Sequence, residues 1–183
     1  MHDEACPIYD DMINNMMIGH DFIVKEFGVK PRIGWQIDPF GHSNTNSRFF
    51  AEMGFDALFF ARIDYEDKNK RMNEKSLEWV WMPSKDKMGT DVNIFTHTLY
   101  NHYSSPNGMN FDVVDPGMTT IQDDPTSPDF NVDYFAGEMM RQMYERAEHY
   151  ATDEILAVFG DDFRYINALQ NYVCMDKLIK YIN

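Results

Sequence analysis

The chain has 183 residues, 44% of them hydrophobic and 15% aromatic. That is enough for a domain with a real core and too apolar for a disordered or fibrous class. Acidic residues outnumber basic ones by 30 to 16, for a net charge of −14, a field that repels phosphate backbones and anionic lipid and argues against nucleic acid or a membrane surface as partner.

Residues 7–27 read as a helix, with Ile8, Met12, Met16, Ile23 and Phe27 near one face and Gly28 placed to end it. "RIGWQID" at 32–38 reads as a short buried strand, and "NTNSRFFAEM" at 44–53 as a helix stopped by Gly54. "FDALFFARID" at 55–64 is a second apolar run that ends in an acid. The charged stretch "DYEDKNKRMNEKS" that overlaps its end reads as solvated surface. "LEWVWM" and "VNIFTHTLY" are further strands, separated by the turn-prone "PSKDKMGTD". Residues 103–133, with "SSPNG", "DPG" and "DDPTSPDFN", read as a long loop, a feature often tied to function. A helix over 134–151, a strand "EILAVFG" and a helix through "LQNYVCMDKLIKYI" complete the chain. Helices alternating with short apolar strands predict an α/β fold with a largely parallel sheet. No internal domain boundary is expected; the loop at 103–133 is the only candidate for one.

The two cysteines, Cys6 and Cys174, make neither a disulfide framework nor a zinc ribbon. Two free thiols are the simpler expectation, with one long-range bridge as the alternative. No apolar run approaches the ~20 residues of a membrane span. No signal-peptide pattern and no N-x-[ST] acceptor occur. G-x-G-x-x-G, Walker A, G-x-S-x-G and H-E-x-x-H are also missing, which leaves nucleotide binding and serine or zincin hydrolysis without their motifs.

Besides "FDALFFARID", two apolar runs lead into acids: "WQID" into Asp38, and "AVFGDD" into Asp161 and Asp162. In parallel α/β folds ligands bind beyond the carboxyl ends of the strands. Two carboxylates facing each other there are the minimal equipment for glycoside hydrolysis. An Asp at a strand end also serves as a turn former or helix cap, so spacing alone leaves both roles open. Arg62, after "FFA", could hold a carboxylate or bind a sugar hydroxyl, or could pair with Asp64 or Glu66. His42, four residues beyond Asp38, suits the orientation of backbone or neighbouring groups. Trp35, Trp79, Trp81, Tyr100 and Tyr103 could stack on sugar rings, although core packing is the default for most.

"GWQIDPFGHS" resembles the signature of glycoside hydrolase family 38, the class II α-mannosidases. "HDEA", "GHDFIVKEFG", "FAEMGFDALFFARIDYEDK", "DDPTSPDFN", "GDDFRYINA" and "MDKLIKYIN" follow in the family's order and cover nearly the whole chain; the pattern is most similar to the lysosomal-type branch. The resemblance implies a mostly parallel, barrel-like sheet with flanking helices, forming part of an N-terminal catalytic domain. It also implies a retaining, zinc-dependent exo-α-mannosidase acting on N-glycan mannose in the lysosome or another secretory compartment. Asp38 then matches the nucleophile, which is also a zinc ligand, and Asp162 matches the acid/base. Asp161 stands where the lysosomal branch usually has Ser, a feature shared with Golgi-type enzymes; it is the alternative acid/base, or tunes its neighbour. Phe40, Arg62 and Tyr103 match residues that bind substrate or flank the nucleophile. A retaining mechanism implies two carboxyls roughly 5–5.5 Å apart.

The family's other zinc ligands come from an early H-x-D-x-G-W strand and a later His, and neither is present here. The resemblance therefore implies an internal fragment of the catalytic domain that holds one zinc ligand, depends on the remainder of the enzyme, and by itself binds zinc poorly and hydrolyses little. The alternative is a non-catalytic carbohydrate-binding or decayed paralogue of the same fold; intact Asp38, Arg62 and Asp162 favour the enzyme.

Overall fold

A computed structural model describes residues 1–115 and 117–183; Pro116 of the "DPG" stretch lies outside the described residues. These residues divide into two compact units, Met1–His102 and Tyr103–Asn183.

The first unit is an α/β layer. Helix α1 (Tyr9–Phe27) ends where Gly28 adopts φ 69°, a left-handed turn that glycine takes without steric cost. It buries Met12 and half-buries Met16 and Ile23, but Ile8 and Phe27, expected on the inner face, are exposed. Strand β1 (Ile33–Gln36) pairs in parallel with β2 (Ala57–Phe60), and β2 with β4 (Ile94–Thr98). Strand β3 (Glu78–Trp81) adds to β4 in antiparallel fashion, giving an open sheet of order β1-β2-β4-β3. The fold class is thus α/β with a mostly parallel sheet and flanking helices.

Helix α2 (Asn44–Glu52) starts where the Ser43 hydroxyl accepts from the Asn46 N–H at 3.0 Å. Its Phe50 joins Phe55, Leu58, Phe60 and Ile94 in the core of this unit. Gly34 allows that packing: a Cβ there would sit 2.5 Å from the Phe50 ring. The stretch expected as irregular surface is instead helix α3 (Tyr65–Glu74). Asp64 caps it, accepting from the Glu66 and Asp67 N–H groups at 3.0 and 3.1 Å. None of its residues is buried, so no apolar stripe advertised it. A single turn, α4 (Lys85–Met88), lies between β3 and β4.

The second unit packs α5 (Val132–Ala147) against α6 (Leu169–Ile182). Val132, Phe135, Met139, Cys174 and Leu178 from these helices close over Met109, Phe111 and Ile121 from the long loop. The described residues of the loop form no helix or strand up to the start of α5 and are pinned by side chains. Gln142 bonds both the N–H and the carbonyl of Asn107, Asn171 donates to the Asn110 carbonyl, and Lys177 donates to the Ile121 carbonyl. The expected strand "EILAVFG" is not one: residues 154–160 are irregular. Gly160 bonds Ser105, with its N–H on the Ser105 hydroxyl at 2.8 Å and its carbonyl accepting the Ser105 N–H at 2.9 Å, a local bridge rather than a ladder. Both cysteines are free, Cys6 exposed and Cys174 buried.

Candidate active site

The parallel register explains where Asp38 and Arg62 lie. Gln36 pairs with Phe60, so two residues further along each chain Asp38 stands level with Arg62 at the carboxyl edge of the sheet. The guanidinium donates to Asp38 Oδ1 from Nε at 3.0 Å and from Nη2 at 2.6 Å. Of the partners open to Arg62 by residue type, the structure gives it this one, while Asp64 caps α3. Phe40 is 79% exposed, and the Arg62 guanidinium lies 5.8 Å from its ring centre. Asp38, Phe40 and Arg62 are therefore brought together.

Two hollows flank this turn. Asp38, Pro39 and Phe40 line one of about 140 Å³ together with Met1, His2 and Asp3. A larger cleft, about 630 Å³, lies on the Arg62 side, with Phe40, Asp64, Arg71, Trp79 and Trp81 in its wall. The nucleophile candidate lines the smaller hollow, so cavity size alone would have pointed away from it. The tryptophans have work of their own: Arg71 covers a face of Trp79 at 4.0 Å, and Trp81 donates to Asn44 at 2.9 Å.

Behind the turn sits a cluster that residue patterns did not reveal. Gln36 is fully buried, and its amide bonds the His2 N–H and carbonyl and the Glu4 carboxylate. Glu4 also meets His42 at 3.2 Å and accepts from the Ser43 N–H at 2.8 Å. Burial raises the proton affinity of Glu4, but the bonds from His42, Ser43 and Gln36 together outweigh it and leave the carboxyl below its ordinary value of 4.5. The available signal was a polar residue, Gln36, on the core-facing side of an apolar strand.

In the second unit, Asp162 is exposed on an irregular segment. The Tyr103 hydroxyl donates to its Oδ1 at 3.1 Å, which joins two residues far apart in sequence, and its own N–H donates to Asp161 at 2.8 Å. Phe163 and Tyr165 take left-handed φ values of 57° and 63°, which cost energy for residues with a Cβ and persist only where the surroundings impose them. Asp112, 1% exposed, supplies part of that constraint by accepting the Tyr165 N–H at 2.9 Å and the Val114 N–H at 3.1 Å. Those backbone donors hold its carboxyl below the usual aspartate range. Arg164 of this segment pairs with Asp115 of the long loop.

Zinc takes four tetrahedral ligands as a rule, three of them from protein in catalytic sites. Among the described residues no three His, Cys, Asp or Glu side chains converge to hold a metal. Asp38 is the only residue matched to such a role, so these residues do not make a zinc site by themselves. No described helix is long and apolar enough to cross a membrane.

Comparison with known proteins agrees along the full length. The chain is 44% identical over 183 residues to a lysosomal α-mannosidase of Dictyostelium discoideum and 45% identical over 184 residues to an α-mannosidase of Arabidopsis thaliana. It is 37% identical over 189 residues to human lysosomal α-mannosidase. Each match covers 100% of this chain and 18% of the relative, so the chain spans about a fifth of the length of the curated relatives it matches. The model of the glycosyl hydrolases family 38 N-terminal domain matches residues 1–183 throughout, and the chain belongs to that family.

Proposed function

We propose that this chain is part of the catalytic domain of a retaining, zinc-dependent exo-α-mannosidase that removes terminal α-mannose from N-glycans in the lysosome or another secretory compartment. The observation that carries the reading is the Asp38–Arg62 pair, a carboxylate presented at the carboxyl edge of a parallel sheet and aimed by a guanidinium. The names of the relatives support the substrate class.

In this reading an Asp38 oxygen attacks the anomeric carbon while Asp162 gives its proton to the departing glycosidic oxygen, leaving a glycosyl ester on Asp38. Asp162 then takes a proton from water, whose oxygen attacks the same carbon and frees Asp38. Two displacements return the product with its starting anomeric configuration. Tyr103 orients the Asp162 carboxyl, Phe40 walls the sugar, and Asp161 stands as the alternative proton carrier. When bound, zinc acts as a Lewis acid that orients sugar hydroxyls. Asp38 is its one candidate ligand among the described residues, and the remaining ligands would come from outside them.

The test uses the full-length protein and an aryl α-mannoside. Hydrolysis should first release α-mannose, as followed by proton NMR, and should stop on chelation and return with zinc. Release of β-mannose first would overturn the double displacement.

A further inference from the structure

The Asp38 turn is held at both ends. Arg62 grips its first residue, and Glu4 grips its last, through the Ser43 N–H at 2.8 Å. A histidine links the two grips. The Arg62 carbonyl can only accept, so His42 Nε2, 2.9 Å away, donates there; donating to the Glu4 carboxylate from Nδ1 as well takes a proton on each ring nitrogen. His42 Nδ1 faces Glu4 Oε1 at 3.2 Å, and the ring lies flat on Phe60 with centres 4.1 Å apart. The Glu4 side chain is 3% exposed and that of His42 10%. A carboxylate this buried persists because donors surround it, and these donors are Ser43, His42 and Gln36.

We propose that Glu4 is a positioning residue for the nucleophile: through His42 and the backbone of Arg62 it fixes the direction from which the guanidinium holds Asp38. The inference rests on the reading of Asp38 as the nucleophile. Glu4 touches no substrate in this scheme. Its carboxylate offers acceptors only, and every neighbour it meets is a donor. Glutamine there would turn one oxygen into an NH2 group, set against the Ser43 N–H or against His42 and Gln36. The ring, the Arg62 carbonyl and the guanidinium would then shift together. A displacement near 1 Å at a reacting group costs about 100-fold in rate.

The experiment compares Glu4→Gln, Glu4→Asp, Arg62→Lys and the double variant Glu4→Gln/Arg62→Lys in the full-length protein, with Asp38→Asn alongside. kcat and KM are measured on an aryl α-mannoside, per mole of protein folded by circular dichroism. Glu4→Gln should lower kcat by about 10- to 100-fold with KM within about threefold of wild type. The double variant should lose less than the product of the two single losses, because both act on one contact. Wild-type kcat in folded Glu4→Gln, or losses that simply multiply, would overturn the proposal and mark Glu4 as a packing residue. Glu4→Asp is read by the same criteria and decides the matter if Glu4→Gln does not fold. Turnover retained by Asp38→Asn would instead remove the nucleophile reading, and the role of Glu4 with it.

Discussion

The two carboxylates are held by different means. Asp38 is delivered by periodic structure: a parallel strand pair sets its level, and an arginine on the neighbouring strand meets it there. Asp162 has no strand behind it. It sits on irregular chain shaped by left-handed Phe163 and Tyr165, by the buried Asp112 and by the Tyr103 hydroxyl. A residue carried by a sheet takes its precision from backbone pairing that many side chains could accompany. A residue on irregular chain takes it from particular side chains, so each of those matters more.

The sharpest way to separate the two settings is to remove each carboxylate's chemistry. Under the proposed double displacement, Asp38→Asn in the full-length protein should lower kcat by about 10³-fold or more on every substrate, since the covalent intermediate would need the carboxylate. Asp162→Asn should cost about 10²- to 10⁴-fold on a sugar leaving group and much less in the first step on an acidic phenol, which departs without a proton. Measured kcat on the two substrate types checks both, and equal losses for Asp162→Asn on both would exclude it as the acid.

Supports come next. Gly34→Ala presses a methyl into the Phe50 ring and should destabilise the first unit by about 1–3 kcal/mol in a denaturant melt. Tyr103→Phe removes the hydroxyl that orients Asp162 and should lower kcat by up to about tenfold, the worth of one hydrogen bond. A pH series probes the first unit through Glu4. Its folded proton affinity is lowered, so its contribution to stability is full above the ordinary value of 4.5 and is lost as pH falls through the lower folded value. Glu4→Gln should flatten that acid-side loss, as read by thermal melts between neutral pH and pH values below the ordinary glutamate range.

The difference in design also governs what could be read from residues alone. Apolar runs with short spacing gave away β1, β2, β3 and β4, and the expectation of a mostly parallel sheet held, apart from the antiparallel edge strand β3. Helix α3 escaped because its residues have no buried side, and its markers were polar: the Asp64 cap, the acidic first turn and the Asp67–Arg71 pair. "EILAVFG" misled for the opposite reason: apolar composition resembles a strand whether or not a partner strand exists, and Ala157 and Phe159 spend theirs on the helix core. At the site, the motif that contains Asp38 was legible and the family resemblance set Arg62 near it, whereas residue types alone left Arg62 open to Asp64 or Glu66 as well, because the meeting depends on register. Glu4 was invisible as a contact because it reaches the turn from the far end of the unit's sequence.

The level placement of Asp38 and Arg62 has a consequence for how such chains can vary in length. Each residue advances a strand by about 3.3 Å and reverses the side its neighbours face. One residue inserted between Ile33 and Asp38, or between Ala57 and Arg62, would carry the acid past the guanidinium and turn Gln36 or Phe60 out of the interior. Substitutions in these segments can be absorbed one at a time, whereas an insertion or deletion breaks the alignment at a stroke. Sequences that keep this chemistry should therefore differ in length within the long loop of the second unit and hold the two strand-to-turn intervals of the first unchanged.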